Sequence, residues 1–237
     1  MEELFSFKRF SIDQSRCAMK VGTDGVLLGA WASLENNPDS ILDIGAGTGL
    51  IALMLAQRSS ATTIDAIEIE EAAYEQCVNN FEASDWGDRL FCYHAGLDEF
   101  VDEMDEAYDL IVSNPPFYTE DVSSGNISRD TARQNSSLPF DELLEGVSRL
   151  LSNEGCFATI IPFKEEKDFL GLAAKLGLFL KRITRVRGNP SSEIKRSLLE
   201  LSLHKIEPVV SELIIETDRH QYTQDYIRLT QDFYLKM

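Results

Sequence analysis

An amide, two prolines and an aromatic ring follow one another directly after an apolar run in the middle of the chain. The run, YDLIVS, spans residues 108–113 and is followed by Asn114, Pro115, Pro116 and Phe117. Prolines cannot donate a hydrogen bond to a sheet ladder, so this order predicts a buried strand that ends abruptly. The Asn114 side-chain oxygen and the Pro115 carbonyl can orient an NH2 group, and the Phe117 face can stack on a planar ring.

An NH2 group conjugated to a ring is a poor nucleophile because its lone pair is delocalised. Two acceptors on its hydrogens favour the tetrahedral geometry that the nitrogen must reach when it attacks. The segment 114–117 therefore favours activation of an exocyclic amine on a nucleobase. The side-chain amide of a protein glutamine is a second substrate that the same acceptors suit, and a proline-rich turn without chemistry is the structural alternative.

A second set of residues is suited to hold a nucleotide. Residues 42–50 read LDIGAGTGL, in which an apolar strand runs into glycines and then into a helical pattern, so the backbone can approach a ligand closely. Glu68 stands 23 residues after Gly45, at the end of the next apolar run, where a carboxylate can accept hydrogen bonds from both hydroxyls of a ribose. A surface acid at a strand end is the other interpretation of Glu68. The expected ligand-binding residues are Asp43, Gly45, Ala46, Gly47 and Glu68, and Asn114 is expected to contact the same ligand.

The spacing of the glycines favours one class of cofactor. A dinucleotide fingerprint has the pattern G-x-G-x-x-G, with a helix N-terminus aimed at a pyrophosphate, whereas residues 45–49 read G-x-G-x-G. This pattern favours S-adenosyl-L-methionine, whose positive sulfonium needs no phosphate cradle. Many methyltransferases also carry an acid or amide after the third strand that accepts a hydrogen bond from the cofactor's adenine, but that position is Gly96 here. We expect Gly96 and Leu97 to line this end of the pocket, with Asp98 or backbone groups near Ala95 or Leu97 as candidates for the adenine contact.

Apolar runs and helical patterns alternate along most of the chain, which predicts an α/β fold of the Rossmann-like class I methyltransferase type. The last two runs are too close for a crossover helix and must form an antiparallel hairpin, which a nicotinamide-binding domain lacks. We therefore expect a seven-stranded, mainly parallel sheet with a terminal antiparallel hairpin and helices on both faces. The seven runs span residues 40–44, 63–69, 89–94, 108–113, 156–162, 181–187 and 197–203.

The chain is expected to form one domain. Before the first strand, Val26, Leu27, Ala30 and Trp31 could form one apolar helical face, with Thr23 or Asp24 as the N-cap. The expected parts of the single methyltransferase domain 1–237 are an N-terminal extension on the cofactor and substrate side at 1–38, a Rossmann-like core at 39–205, and a C-terminal strand and helix at 206–237.

Composition limits the function classes. Hydrophobic residues make up 43% and charged residues 26%, as in ordinary globular proteins, and no apolar run has the length of a membrane helix, so we expect a cytoplasmic protein. Four widely spaced cysteines without a CxxC pair predict neither a metal site nor disulfides. The net charge of −18 opposes avid binding to a polyanion.

Local charge differs from that average. Residues 98–106 carry six acids and no base, whereas residues 181–196 carry six bases against one acid. If RNA is a partner, such local basic residues would contact it. The alternative interpretation is that both charged runs are ordinary solvated surfaces. The six bases are Lys181, Arg182, Arg185, Arg187, Lys195 and Arg196.

Three further stretches are informative: KVGTDGVLLGAWA before the first strand, PSSEIKRSLLEL at 190–201 and the ending YTQDYIRLTQDFYLK. Together with the motifs quoted above, they resemble the tRNA1(Val) (adenine37-N6)-methyltransferases over nearly the whole chain. The resemblance implies N6-methylation of the adenine beside the anticodon of a tRNA, with S-adenosyl-L-methionine as cofactor. It places the target base at residues 114–117 and adds Lys20 and Thr23 to the cofactor surroundings, although both residues could simply form a helix entrance. An rRNA amine and a protein glutamine remain alternative substrates, but glutamine methyltransferases carry a separate helical N-terminal domain.

The loop after the motif is also expected to serve the substrate. Residues 118–140 are mostly polar and include Tyr118, Arg129 and Arg133. A loop of this length in a compact domain is usually functional or disordered. We interpret it as a lid whose two arginines reach RNA phosphates, with a solvated loop as the alternative, and we expect the protein to act as a monomer.

Overall fold

The computed structural model describes residues 3–17, 19–116 and 138–237. Phe117, Tyr118 and the two arginines of the expected lid, Arg129 and Arg133, lie outside the described residues, so their predicted roles stay predictions.

Strands and helices alternate along the described chain. The strands are β1 (Leu4–Ser6), β2 (Ser11–Asp13), β3 (Ser40–Ile44), β4 (Thr63–Glu68), β5 (Leu90–His94), β6 (Tyr108–Ser113), β7 (Leu151–Pro162), β8 (Phe179–Arg187), β9 (Ile194–Ser202), β10 (Val209–Ile214), β11 (Glu216–Asp218) and β12 (Gln221–Tyr222). The helices are α1 (Thr23–Trp31), α2 (Leu50–Arg58), α3 (Glu71–Glu82), α4 (Leu97–Glu103), α5 (Phe140–Leu150), α6 (Glu166–Lys175) and α7 (Gln224–Thr230), with a 3-10 turn at Phe163–Glu165.

One large sheet organises the molecule, in the order β10-β8-β9-β7-β6-β3-β4-β5. Strand β9 runs antiparallel to β7 and β8, and the other pairs are parallel, which confirms the predicted fold class and the terminal hairpin. The predicted count of seven strands is one too low, because β10 joins the edge and pairs in parallel with β8. This edge strand buries little apolar surface, since only Leu213 of its six residues is buried, so its position in the sheet left no strong pattern in the sequence.

The sheet is covered by helices on both faces. Successive residues of the central strands alternate between two apolar cores, as a pleated strand requires: Ile41 lies in one core and Leu42 in the other. One core includes residues of α1, α2, α3 and α7, whereas the other includes residues of α4, α5 and α6. No helix among the described residues is long and apolar enough to span a membrane.

The N-terminal extension differs from its predicted form in two details. Residues 4–13 form a small antiparallel hairpin, which the sequence patterns did not indicate. The expected helix is present as α1, but its N-cap is Gly22 and no side chain caps it. The side chain of Asp24 instead accepts a hydrogen bond of 2.8 Å from Nε of Arg196 on β9, and this distant partner was not visible in the local sequence.

Candidate active site

Four of the predicted site segments meet at one edge of the sheet. The strands β6, β3, β4 and β5 are parallel neighbours, so their carboxyl ends lie side by side. The glycine loop follows β3, Glu68 ends β4, Gly96 follows β5, and Asn114 follows β6. Ligands of open α/β sheets bind outside this edge, so the fold brings the predicted residues to one crevice.

The glycine loop has two kinds of glycine. Gly45 and Gly47 have φ angles of 72° and 56°, and a Cβ atom on either residue would meet nothing within 4 Å. Gly49 has φ 77°, but a Cβ there would lie 2.5 Å from Cε1 of Phe81 and 2.9 Å from Sγ of Cys77. The first two glycines thus leave open space for a ligand, whereas the third allows α2 to pack tightly against α3.

A buried amide holds this loop from behind. Asn80 on α3 donates from Nδ2 to the carbonyls of Thr48 and Asp13, at 2.9 Å each, and its Oδ1 accepts a hydrogen bond from the Asp13 backbone at 2.9 Å. The residue is only 4% exposed. Asn80 therefore joins the loop to strand β2 of the N-terminal hairpin, a link that the motif patterns did not predict.

The Glu68 carboxylate is fixed by backbone donors at the end of β4. Its Oε2 accepts a hydrogen bond from the Gly47 amide at 2.8 Å, and its Oε1 accepts one from the Glu70 amide at 2.9 Å. Each carboxylate oxygen has a further lone pair, so the group can still accept hydrogen bonds from two hydroxyls. The position beside Gly47 fits the ribose role predicted for Glu68.

The Asp43 side chain lies beneath the same loop and is fully buried. One oxygen accepts a hydrogen bond from the Ala52 amide at 3.1 Å, and the other has no hydrogen-bond partner among the described residues. Burial raises the pKa of Asp43 to about 7, the charge of Glu68 adds to the rise, and the Ala52 hydrogen bond opposes it. This unpaired buried acceptor next to an open glycine cradle fits a positively charged ligand such as S-adenosyl-L-methionine.

We expect cofactor binding near pH 7 to release protons from Asp43. The positive charges of the cofactor stabilise the carboxylate and lower its pKa below the value of about 7 in the free protein, so the protonated fraction of Asp43 loses its proton on binding. Calorimetric titrations in buffers of different ionisation enthalpy measure this release. The variant Asp43→Asn should show none of it, and equal heats in all buffers for the wild-type protein would contradict the expectation.

Asn114 presents its acceptor in the place that the sequence predicts. Its Oδ1 is buried and has no hydrogen-bond partner among the described residues, although the residue as a whole is only half-buried. The hydroxyl of Ser113 donates to the Ile44 carbonyl at 2.9 Å and so ties the end of β6 to the end of β3. An unsatisfied buried acceptor is costly and requires an explanation, and a ligand donor is one that fits its place at this edge. The Asn114 oxygen is therefore available for an NH2 donor.

The segment before α1 borders the same edge. Gly25 is close to both sides of the crevice, because a Cβ there would lie 3.1 Å from Leu50 and 4.0 Å from Nδ2 of Asn114. Lys20 and Thr23 are exposed at the entrance to this helix. Their contact with the cofactor stays a prediction, which their position allows.

At the carboxyl end of β5 the structure narrows the prediction for Leu97 and shows one residue that sequence reasoning missed. The side chain of Leu97 is buried in the core, so only its backbone can face a ligand. Ile69, directly after Glu68, is 58% exposed and lies beside the predicted pocket. A polar turn residue is usual after an acid that ends a strand. The large apolar residue at this position was the sequence signal that could have identified Ile69.

The run of six bases is mostly neutralised within the chain. Lys181 and Arg182 both pair with the buried Glu200, and Arg182 also lies over the Trp31 ring with its guanidinium carbon 3.7 Å from the ring centroid. The other ion pairs are Arg185 with Glu166, Arg187 with Glu212 and Arg196 with Asp24. Within the described part of the chain, Lys195 makes no ion pair.

Comparisons with known proteins agree with the geometry. Residues 23–138 match the family described as the Methyltransferase small domain. The crystal structure of a predicted O-methyltransferase from Agrobacterium tumefaciens has a TM-score of 0.67 at 18% identity and covers 89% of this chain and 96% of its own. A ribosomal protein L11 methylase from Lactobacillus delbrueckii has a TM-score of 0.57 at 14% identity, covering 81% and 83%. At these identities, both structures support the fold alone.

Curated relatives are much more similar and match over nearly their full length. A tRNA1(Val) (adenine(37)-N6)-methyltransferase of Christiangramia forsetii is 62% identical over 98% of both chains. A protein of the same name from Flavobacterium johnsoniae is 60% identical over 99% of this chain and 100% of its own. The corresponding Bacteroides fragilis protein is 43% identical over 100% and 99%.

Proposed function

This chain belongs to the tRNA1(Val) (adenine(37)-N6)-methyltransferase family, and from that membership and its site we infer that it methylates N6 of adenosine 37 in tRNA1(Val). The cofactor is S-adenosyl-L-methionine, which supplies an electrophilic methyl group when it is bound. The observation that carries the inference is the buried Oδ1 of Asn114, which has no hydrogen-bond partner among the described residues and lies at the same sheet edge as the glycine loop and Glu68.

The residues after β6 prepare the amine of the target base. The Asn114 oxygen accepts one hydrogen of the N6 amine and the Pro115 carbonyl accepts the other, so the nitrogen lone pair is oriented and less delocalised into the ring. The prolines keep the Pro115 carbonyl out of the sheet ladder. The adenine must leave its stack to reach this site, and Phe117 is proposed to stack on it.

Neither of the two carboxylates at the site, Asp43 and Glu68, is needed as a general base. The methylated amine carries a positive charge and loses a proton readily to water. Asp43 lies beneath the glycine loop and bonds the Ala52 amide, and Glu68 bonds the Gly47 and Glu70 amides. We propose that both serve the cofactor, as do the backbone at Gly45 and Gly47 and the entrance residues Lys20 and Thr23.

A direct test uses tRNA that lacks the modification. Total tRNA from a strain deleted for the gene is incubated with the purified protein and labelled cofactor, and the product is digested and mapped by mass spectrometry. We expect N6-methyladenosine at position 37 of tRNA1(Val) and no incorporation into a transcript with guanosine at that position. Incorporation into ribosomal RNA or protein instead would refute the proposed substrate.

The basic residues divide by position along the sheet. Because β8 runs parallel to β7, its carboxyl end and the start of β9 lie at the crevice edge, whereas Lys181 and Arg182 lie near the opposite edge. Lys195 is exposed at the crevice edge and lacks an ion pair within the described residues. We propose that Lys195 makes the main phosphate contact and that Arg185, Arg187 and Arg196 assist it.

We also propose that the protein acts as a cytoplasmic monomer.

Substituting Lys195 should make tRNA binding less dependent on salt. In Lys195→Ala, the slope of log affinity against log salt concentration should fall by about 0.7–0.9, the change expected for one lost phosphate contact. Filter binding at several salt concentrations measures it. Lys205→Ala is the matched control, because Lys205 is exposed just beyond β9, at the opposite sheet edge. An unchanged slope for Lys195→Ala, or an equal change in both variants, would show that Lys195 is only a solvated base.

A further inference from the structure

An aromatic ring is exposed at the crevice edge of the sheet, one strand away from the target-base segment. Phe163 follows Pro162, the last residue of β7, and begins the 3-10 turn there. It is large and apolar, and yet it is 38% exposed. Ser113, which ends β6, pairs in register with Thr159, and β7 continues beyond this pair to Pro162. Phe163 therefore lies beside the chain that follows Ser113 and carries Asn114.

The contacts of Phe163 and those of Asn114 lie on opposite faces of the sheet. The Phe163 ring lies beside Arg185, whose side chain bonds Glu166 at the start of α6, and α6 covers one face. Asn114 is close to α1 on the other face, because a Cβ atom on Gly25 would lie 4.0 Å from its Nδ2. The ring is therefore next to the site proposed for the target base and is not one of its walls.

A cation is held in a fixed orientation against this ring. The guanidinium carbon of Arg185 lies 5.7 Å from the Phe163 ring centroid, within the range of a cation–π contact. Arg185 donates to Glu166 from Nε at 3.1 Å and from Nη2 at 2.7 Å, and the Ser197 hydroxyl donates to the same carboxylate at 2.5 Å. Two parallel hydrogen bonds fix the plane of a guanidinium, so this arginine and the ring are preorganised.

The surroundings of Phe163 suit a nucleotide. Pro162 pairs in register with Arg196, so the exposed Lys195 lies at the same edge as the ring. Single-stranded RNA is recognised by stacking of its bases on aromatic side chains and arginine planes, with basic residues along the phosphates. An exposed ring with a fixed guanidinium and a nearby lysine offers both kinds of contact.

Methylation itself leaves a base of the substrate in need of such a surface. Adenosine 37 must leave its stack to bring N6 to Asn114. Each of its neighbours then loses one stacking partner, although one phosphate still joins it to the extruded nucleotide. A protein ring that covers an uncovered base lowers the free-energy cost of turning adenosine 37 out.

We propose that Phe163 stacks on a base adjacent to adenosine 37 while that adenosine is turned out, and that the fixed Arg185 side chain supports the stack. This proposal rests on the proposed function and adds a residue that positions the substrate. It distinguishes Phe163 from Phe117, which is proposed to stack on the target adenine itself.

Transcripts that lack one base test this stack. Methylation is measured with the full-length protein on unmodified tRNA1(Val) and on two versions with an abasic nucleotide on the 5′ or the 3′ side of adenosine 37. On the intact transcript, Phe163→Ala should lower kcat/KM by about 5- to 150-fold, the loss that one base–aromatic stack implies. On one abasic transcript the variant and the wild-type protein should agree within about 2-fold, because the stack is already absent.

Two further variants separate stacking from a structural role. Phe163→Trp keeps a flat ring and should retain kcat/KM on the intact transcript within about 3-fold. Phe91→Ala is the matched control and should leave kcat/KM unchanged, because Phe91 is an exposed phenylalanine that pairs in register with Asp65, near the start of β4 and away from the crevice.

The outcomes distinguish this role from the proposed function. An unchanged kcat/KM for Phe163→Ala would overturn the stack, and so would an equal loss on the intact and both abasic transcripts. In either case, wild-type methylation of adenosine 37 would leave the proposed function intact. Failure of the wild-type protein to methylate intact tRNA1(Val) would overturn both.

Discussion

Asn114→Ala is expected to slow methylation of tRNA1(Val) by about 100- to 1,000-fold, the loss typical when one preorganised hydrogen-bond partner of a transition state is removed. Affinity for the cofactor should change by less than about 2-fold, because the lost oxygen addresses the target amine. The substitution also removes a buried acceptor that has no partner among the described residues, so it should not destabilise the fold greatly.

Single-turnover rates at saturating cofactor and tRNA measure this effect. Asn153→Ala is a suitable control, because Asn153 is an exposed amide near the start of β7, at the opposite edge of the sheet. Near-normal turnover of Asn114→Ala would disprove the assigned role of its oxygen. A parallel loss of cofactor affinity would instead show that Asn114 acts mainly in the cofactor pocket.

The two kinds of glycine should give different results when each is replaced by alanine. Gly47→Ala puts a methyl group into open space in the crevice, so we expect it to weaken cofactor binding by about 10- to 100-fold, as overpacking of 1–3 kcal/mol implies. The positive φ angle costs about 1–2 kcal/mol of stability in addition.

Gly49→Ala instead drives a methyl group into Phe81 and Cys77. Adding the overpacking cost to the cost of the positive φ angle gives a loss of about 2–5 kcal/mol, and the melting temperature should fall by about 5–20 °C. Calorimetric binding and thermal unfolding of both variants check the pair. Equal effects of the two substitutions on binding and on stability would show that Gly47 and Gly49 do not have separate roles in cofactor binding and in helix packing.

Much of this fold could be predicted because its patterns are local. The central strands are nearly continuous apolar runs, as strands buried on both faces should be, and the glycines mark the turn after β3. The N-terminal hairpin and β10 were harder to place because they are short or mostly exposed, and their partners are set by tertiary contacts. Hydrophobic periodicity contains no information about such edges.

The candidate site shows the same contrast between local patterns, which could be predicted, and tertiary contacts, which could not. Asn114, Glu68 and the glycine loop could be identified because each ends a parallel strand, and the carboxyl ends of parallel neighbours meet at one edge. The partners of the basic run could not be identified. Arg182 reaches Glu200 across a strand pair and Trp31 from another part of the chain, so its charge is neutralised by contacts that sequence spacing does not reveal.

The side-chain amide of Asn80 couples the opening of the glycine loop to the opening of the N-terminal hairpin. Because one side chain bonds both Thr48 in the glycine loop and Asp13 in the N-terminal hairpin, neither segment can separate from α3 without leaving buried polar groups unpaired. We therefore expect the hairpin, the loop and this helix to open as one cooperative unit in native-state hydrogen exchange. Although the hairpin is translated first, it can make this link only after α3 has been synthesised, and its contacts with Phe233 and Tyr234 must form later still.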